Sequence, residues 1–170
     1  SENFANQFSG SLIVILLILS IPIILLLEIF MNPIMLMVAP GIPEGEYFSL
    51  LVLNGRIMLP YIFLVIIQSV IMARLNVDNK FFIVSLMPLL LNLTIVVILI
   101  LNNTYKALLI QYLAYGIVFG GIIQLSILFL FSRKILNRNS FANITKNFKS
   151  IIGFFKSYGP IFVTSFSNHL

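Results

Sequence analysis

The chain has 170 residues, 60% of them apolar and only 9% charged, with a mean hydropathy of +1.10. A water-soluble globular domain is excluded, because the apolar residues fall in blocks long enough to cross a bilayer core of about 30 Å as helices of about 20 residues. With no cysteine and one histidine, disulfides, thiolate metal sites and a histidine metal cluster are excluded too. The net charge of +5 is accounted for by membrane topology below, so it does not point to nucleic acid.

The first predicted span runs from about Ser11 to Met31. It is interrupted only by Ser20, Pro22 and Glu28, and is expected to stop at Asn32-Pro33 and Ala39-Pro40-Gly41 because proline and glycine punctuate helices. Lipid offers backbone groups no hydrogen bonds, so each span must be helical, and a kink at Pro22 is tolerated where neighbours satisfy the freed carbonyl. The second span covers about Leu50 to Met72, with Arg56 and Pro60 inside. The third covers about Phe81 to Leu101, with Ser85, Pro88 and Asn92 on one face. The fourth covers about Ala107 to Phe131, with Tyr112, Gly116, Gly120 and Gln124 in one i+4 row. Small residues at that spacing let helices pack closely.

Residues 132–157 do not form a span. Phe141, Ile144, Phe148, Ile151, Ile152 and Phe155 recur at helical spacing, with Asn143, Lys146, Asn147, Lys149 and Ser150 filling most of the other face. This pattern predicts a basic amphipathic helix on the cytoplasmic surface, its lysines toward anionic membrane lipids; the competing reading is a simple cytoplasmic linker helix with no specific partner. A further span is expected to open at Gly159-Pro160 and to be cut off by Leu170, so residues 158–170 read as the start of a truncated helix. With Ser1 in place of an initiator methionine, the chain reads as an internal piece of a longer membrane protein. No signal peptide is visible.

Loop charge orients the bundle. Arg74, Lys80, Arg133, Lys134, Arg138, Lys146, Lys149 and Lys156 fall on one side, and Lys106, with Glu44 and Glu46, on the other. Lys and Arg stay on the cytoplasmic side, so the first span is expected to start in the cytoplasm.

Arg56 is the sharpest candidate residue. An arginine inside a span costs about 2.5–3.5 kcal/mol on insertion scales and normally faces a cavity or a partner. Glu28, on the preceding antiparallel helix, lies within about 5 Å of it in depth at 1.5 Å per residue. The two are therefore a candidate ion pair, and Arg56, Asn92 and Gln124 are candidates for a substrate path. The competing and commoner readings are a structural brace or snorkelling for Arg56 and helix-to-helix hydrogen bonding for Asn92. No carboxylate pair, phosphate-cradling loop or nucleophile elbow is present, so no enzyme, no cofactor and no metal is expected.

Several segments resemble one family. Asn54-Gly-Arg-Ile-Met-Leu-Pro-Tyr61 is similar to a helix opening of the MurJ/MviN flippases. Pro88-Leu-Leu-Leu-Asn92, Ala39-Pro-Gly41, Ala114 to Gln124 and Gly159-Pro160 resemble further segments of that family, in the same order and spacing. The resemblance implies an all-α, polytopic transmembrane helix bundle, part of one lobe of a two-lobed exporter. It implies helices three to six of fourteen, plus the start of the seventh. The implied function is that of a fragment of a lipid II flippase, working by alternating access in the bacterial inner membrane in peptidoglycan biosynthesis. Lipid II is the implied partner. The family's cavity arginines lie on helices that this sequence does not match, so no substrate residue is carried over. The alternatives are a drug or polysaccharide exporter of the same superfamily, and a non-transporting membrane fragment.

Overall fold

In a computed structural model, residues 2–42, 45–101, 106–133, 148, 151–153 and 156–157 are described. The described residues form α1 (Glu2–Ile29), α2 (Met31–Val38), α3 (Glu46–Met58), α4 (Pro60–Val77), α5 (Phe81–Leu101) and α6 (Lys106–Ser132), with no strand among them. Among the described residues, four stretches are long and apolar enough to cross a membrane: Ala5–Ile29, Glu46–Val77 (α3 and α4 together), Phe81–Leu101 and Leu108–Ser132. The protein is an all-α, multi-pass membrane helix bundle.

The first two spans differ from the sequence expectation, the second running over Glu46–Val77. The first helix begins at Glu2, well before Ser11. Its polar first turns join the packing, with Ser9 buried and α1 packed on α4. The expected stop at Asn32-Pro33 is absent. The chain turns only at Phe30 and resumes as α2, where Pro33 falls in the first turn and its missing N–H costs no intrahelical bond. The real stop is Ala39-Pro40-Gly41. The second span breaks once, at Leu59. Pro60 opens α4 at its first position, a place suited to proline. The Leu59 N–H donates to the Arg56 carbonyl at 3.2 Å, which tightens that turn. Pro22 and Pro88, by contrast, sit inside unbroken helices.

The connection from α4 to α5 is tight. Asn79 has φ 59°, a left-handed conformation that asparagine tolerates at a helix end. The Asn79 N–H donates to the Asn76 carbonyl at 3.0 Å and the Lys80 N–H to the Leu75 carbonyl at 2.9 Å. That pair of bonds is the Schellman arrangement, which satisfies carbonyls the helix leaves orphaned. Lys80 Nζ then donates to the Phe131 carbonyl at 3.3 Å, joining the start of α5 to the end of α6.

α6 is the centre of the bundle. It packs against α3, α4 and α5, while α1 packs on α4 and α2 on α3. One buried core, around Ile13, Val70, Ile71, Leu75, Met87 and Leu128, lies toward the basic end that carries Arg74 and Lys80. A second, around Met31, Val52 and Leu59, lies toward the end that carries Glu46. Large apolar side chains such as Ile23, Leu25, Leu89, Leu93 and Leu130 stand exposed on the outside, as lipid-facing surfaces require. Most of the expected amphipathic segment, 132–157, and all of 158–170 lie outside the described residues.

Candidate functional site

Two layers of polar contacts tie α6 to its neighbours. Gln68 Nε2 on α4 donates to the Gly121 carbonyl at 2.9 Å. Gln124 Nε2 on α6 donates to the Met87 carbonyl on α5. Glycines make these approaches possible. A methyl at Gly121 would lie 2.7 Å from Tyr61 Cε2, and one at Gly120 would lie 3.2 Å from Leu91 Cδ1 and Thr94 Oγ1. A methyl at Gly116 would collide with Ile98 Cδ1. The i+4 row of α6 therefore packs on α5 through its glycines, while Tyr112 at its head stays exposed.

These contacts also set depth. Gly116 faces Ile98, three residues before Leu101 ends α5. Gly121 faces Tyr61, and α3–α4 and α6 run in the same direction. Arg56, five residues before Tyr61, is therefore level with Gly116. At 1.5 Å per residue this places the Arg56 backbone about 5 Å inside the end of α5.

There Arg56 Nε approaches Glu28 Oε1 to 3.2 Å, and the two side chains remain 46% and 45% exposed. The pair that sequence spacing singled out is thus brought together, yet not sealed in. Arg56 stands between two depressions. One, a cleft of about 390 Å³ between α3–α4 and α6, is lined by Ile57, Pro60, Val118, Phe119 and Ile122, with Tyr115 at the level of Arg56. The other, about 320 Å³, lies among Asn32, Phe48, Ser49, Val52 and Leu53. The first is apolar below its single cation, so it suits a hydrocarbon chain with an anionic end.

The other path candidates lie elsewhere. Asn92 is exposed on α5, together with Ser85 and Pro88, and does not meet Arg56 in either depression. Gln124 is 3% exposed, and its Oε1 has no hydrogen-bond partner among the described residues. At the basic end Arg74 pairs with Asp78 at 2.7 Å and its Nε donates to Asn6 Oδ1 at 3.4 Å. No group of three or more His, Cys, Asp or Glu side chains that could hold a metal occurs among the described residues.

Two polar residues escaped the sequence reading. Gln68 is 4% exposed and Asn54 5%. Both Asn54 amide atoms lack a hydrogen-bond partner among the described residues. Asn54, Tyr61 and Gln68 are spaced by seven along α3–α4, which keeps them near one stripe of the span. That spacing was the available signal. It gained meaning only when Gly121 was found opposite Tyr61 and Gln68.

Comparison with known proteins bears on the whole chain. The family model described as lipid II flippase MurJ matches residues 1–169. The chain is 30% identical over 135 residues to the probable lipid II flippase MurJ of Rickettsia prowazekii (strain Madrid E), covering 79% of this chain and 26% of that protein. It is 30% identical over 172 residues to the probable lipid II flippase MurJ of Buchnera aphidicola subsp. Acyrthosiphon pisum, covering 99% of this chain and 32% of that protein. Its identity to the protein of the same name from Buchnera aphidicola subsp. Schizaphis graminum is 35% over 147 residues, or 84% of this chain and 28% of that protein. The chain thus spans about a quarter to a third of the length of these relatives. No solved structure matches it. The match of the family model from end to end, with the order of motifs read in the sequence, places the chain in the lipid II flippase MurJ family.

Proposed function

We propose that the chain works as part of the wall of a lipid II flippase, moving the lipid-linked peptidoglycan precursor across the bacterial inner membrane. The observation that carries this reading is the family match over residues 1–169 on a bundle with four membrane-spanning stretches. The mechanism is alternating access, in which two lobes rock about a site that faces one side and then the other. Moving a charged headgroup through bare hydrocarbon is prohibitive, and a polar path lowers that cost. No bond is made or broken, so the role is transport and not catalysis.

Within this chain, Arg56 supplies the cation for the path, Asn92 presents a polar group on the exposed face of α5, and Gln124 Oε1 offers an acceptor when the α5–α6 contact opens. Glu46 and Lys106 lie on the periplasmic side. Arg74, Lys80 and Arg133 lie on the cytoplasmic side, against anionic lipid headgroups.

The test is complementation in cells depleted of their own lipid II flippase. The Rickettsia prowazekii relative is supplied with its matching section replaced by this chain. Survival, with lipid II exposed at the outer leaflet, is the expected result. This chain expressed alone is expected not to rescue, because alternating access needs a second lobe to rock against. A well-expressed chimera that neither rescues nor exposes lipid II overturns the reading.

A further inference from the structure

The surroundings of Arg56 are amphiphilic in one direction. Arg56 and Tyr115 mark one end of the cleft, about 5 Å inside the end of α5 at 1.5 Å per residue. Ile57 and Pro60 on one wall, with Val118, Phe119 and Ile122 on the other, all lie deeper in the bilayer. A ligand seated here has its anion at the membrane boundary and its hydrocarbon pointing inward. The cleft lies between two spans and suits one chain.

Glu28 restricts which anion enters. Its carboxylate already stands 3.2 Å from Arg56 Nε, with about half of each side chain open to a newcomer. A phosphodiester carries one negative charge, as the carboxylate does, so exchanging one for the other returns little. A diphosphate carries more charge and more acceptor oxygens, and arginine binds phosphate oxygens bidentately. It is the anion that displaces Glu28.

We propose that Arg56 and the α4–α6 cleft hold a single-chain lipid diphosphate in the outer leaflet, with Glu28 as the counterion it displaces. This deepens the flippase reading and rests on it for the side of the membrane. The site is where the translocated headgroup is received. Glu28 reclaims Arg56 when the lipid leaves, so the arginine keeps a counterion at every stage.

The test uses the full chain in phosphatidylcholine nanodiscs, with bound lipid counted by native mass spectrometry. The probes are undecaprenyl diphosphate, phosphatidylglycerol and inorganic pyrophosphate. Undecaprenyl diphosphate is expected to bind more tightly than either of the others. Arg56→Gln should weaken it about tenfold, the loss of one hydrogen bond to a charged group. Glu28→Gln should tighten it several-fold by removing the competing charge, a gain that a misfolded variant cannot give. Val118→Trp, which fills the cleft, should weaken the long-chain ligand and leave pyrophosphate unchanged. Equal binding of phosphatidylglycerol overturns the proposal in favour of a bulk-lipid site. Equal binding of pyrophosphate removes the role of the cleft, and unchanged or weaker binding in Glu28→Gln removes counterion exchange. Rescue by the chimera without this binding pattern sinks the site and spares the flippase reading. The binding pattern without rescue does the reverse.

Discussion

Gln68 Nε2 donates to the Gly121 carbonyl at 2.9 Å, at the point where the Tyr61 ring fills the space a side chain at 121 would need. One glycine therefore serves two contacts from α4. A methyl there would lie 2.7 Å from Tyr61 Cε2 and 3.1 Å from Leu64 Cδ1, so the ring or the helix must shift. Gly121→Ala is expected to destabilise the bundle by about 1–3 kcal/mol, the usual cost of overpacking. Gln68→Leu should cost less, about 0.6 kcal/mol, as interhelical hydrogen bonds in membranes do. Reversible unfolding in mixed micelles measures both. Adding Tyr61→Leu to Gly121→Ala should recover part of the loss; a fully additive pair of losses would show that the ring is not the obstacle.

The ion pair at the other end of the span is expected to behave differently. Glu28 and Arg56 are each about half exposed, and exposed pairs contribute about 0–1 kcal/mol. Glu28→Gln should therefore leave unfolding stability within about 1 kcal/mol of the parent. A loss of about 3 kcal/mol or more is the signature of a buried pair stripped of one partner, and would return Arg56 to the role of a structural brace.

The contrast between these pairs marks what was readable in the sequence. Span length and apolarity put the third and fourth spans at about Phe81–Leu101 and Ala107–Phe131, where α5 and α6 run Phe81–Leu101 and Lys106–Ser132, because lipid forces any such block to be helical. Arg56 and Glu28 stood out because a charge in an apolar run has few places to go. The early start of α1 was hidden. The polar residues before Ser11 lack the apolar signature of a span, yet Ser9 is buried there. Asn32-Pro33 looked like a stop because proline's cost depends on where in a helix it falls, and the turn at Phe30 placed it in a first turn. Gln68 and Gln124 hydrogen-bond carbonyls of other helices, and no spacing along one helix reveals a partner on another. The family match shows which family these helices belong to; the contacts show which polar residues tie them together.

Orientation follows from the loop cations. Single cysteines at Glu46 and Lys80 should be labelled from opposite sides of the membrane by an impermeant maleimide. Glu46 is expected to react in intact cells and Lys80 only after permeabilisation, because Lys80 sits on the side richer in Lys and Arg. The two positions lie at opposite ends of the α3–α4 span. Labelling of both from outside would remove the span between them, and with it the depth assigned to Arg56.

Asn54 gives the least expected prediction. Its side chain is buried, and neither amide atom has a partner among the described residues. Leaving a buried polar group unsatisfied costs about 1–3 kcal/mol, whereas an apolar group of similar shape does not carry that cost. Asn54→Leu is therefore expected to leave stability unchanged or raise it by about 1 kcal/mol. Asn54→Ala should lower it, because it removes buried volume and opens a cavity. Unfolding in mixed micelles separates the two substitutions. A marked loss in Asn54→Leu, comparable to that in Asn54→Ala, would mean that the amide is satisfied by a bound water or by another segment of the protein. If Asn54→Leu is as stable as the parent but the chimera carrying it fails to expose lipid II, the unsatisfied amide belongs to the transport path and not to the packing of α3.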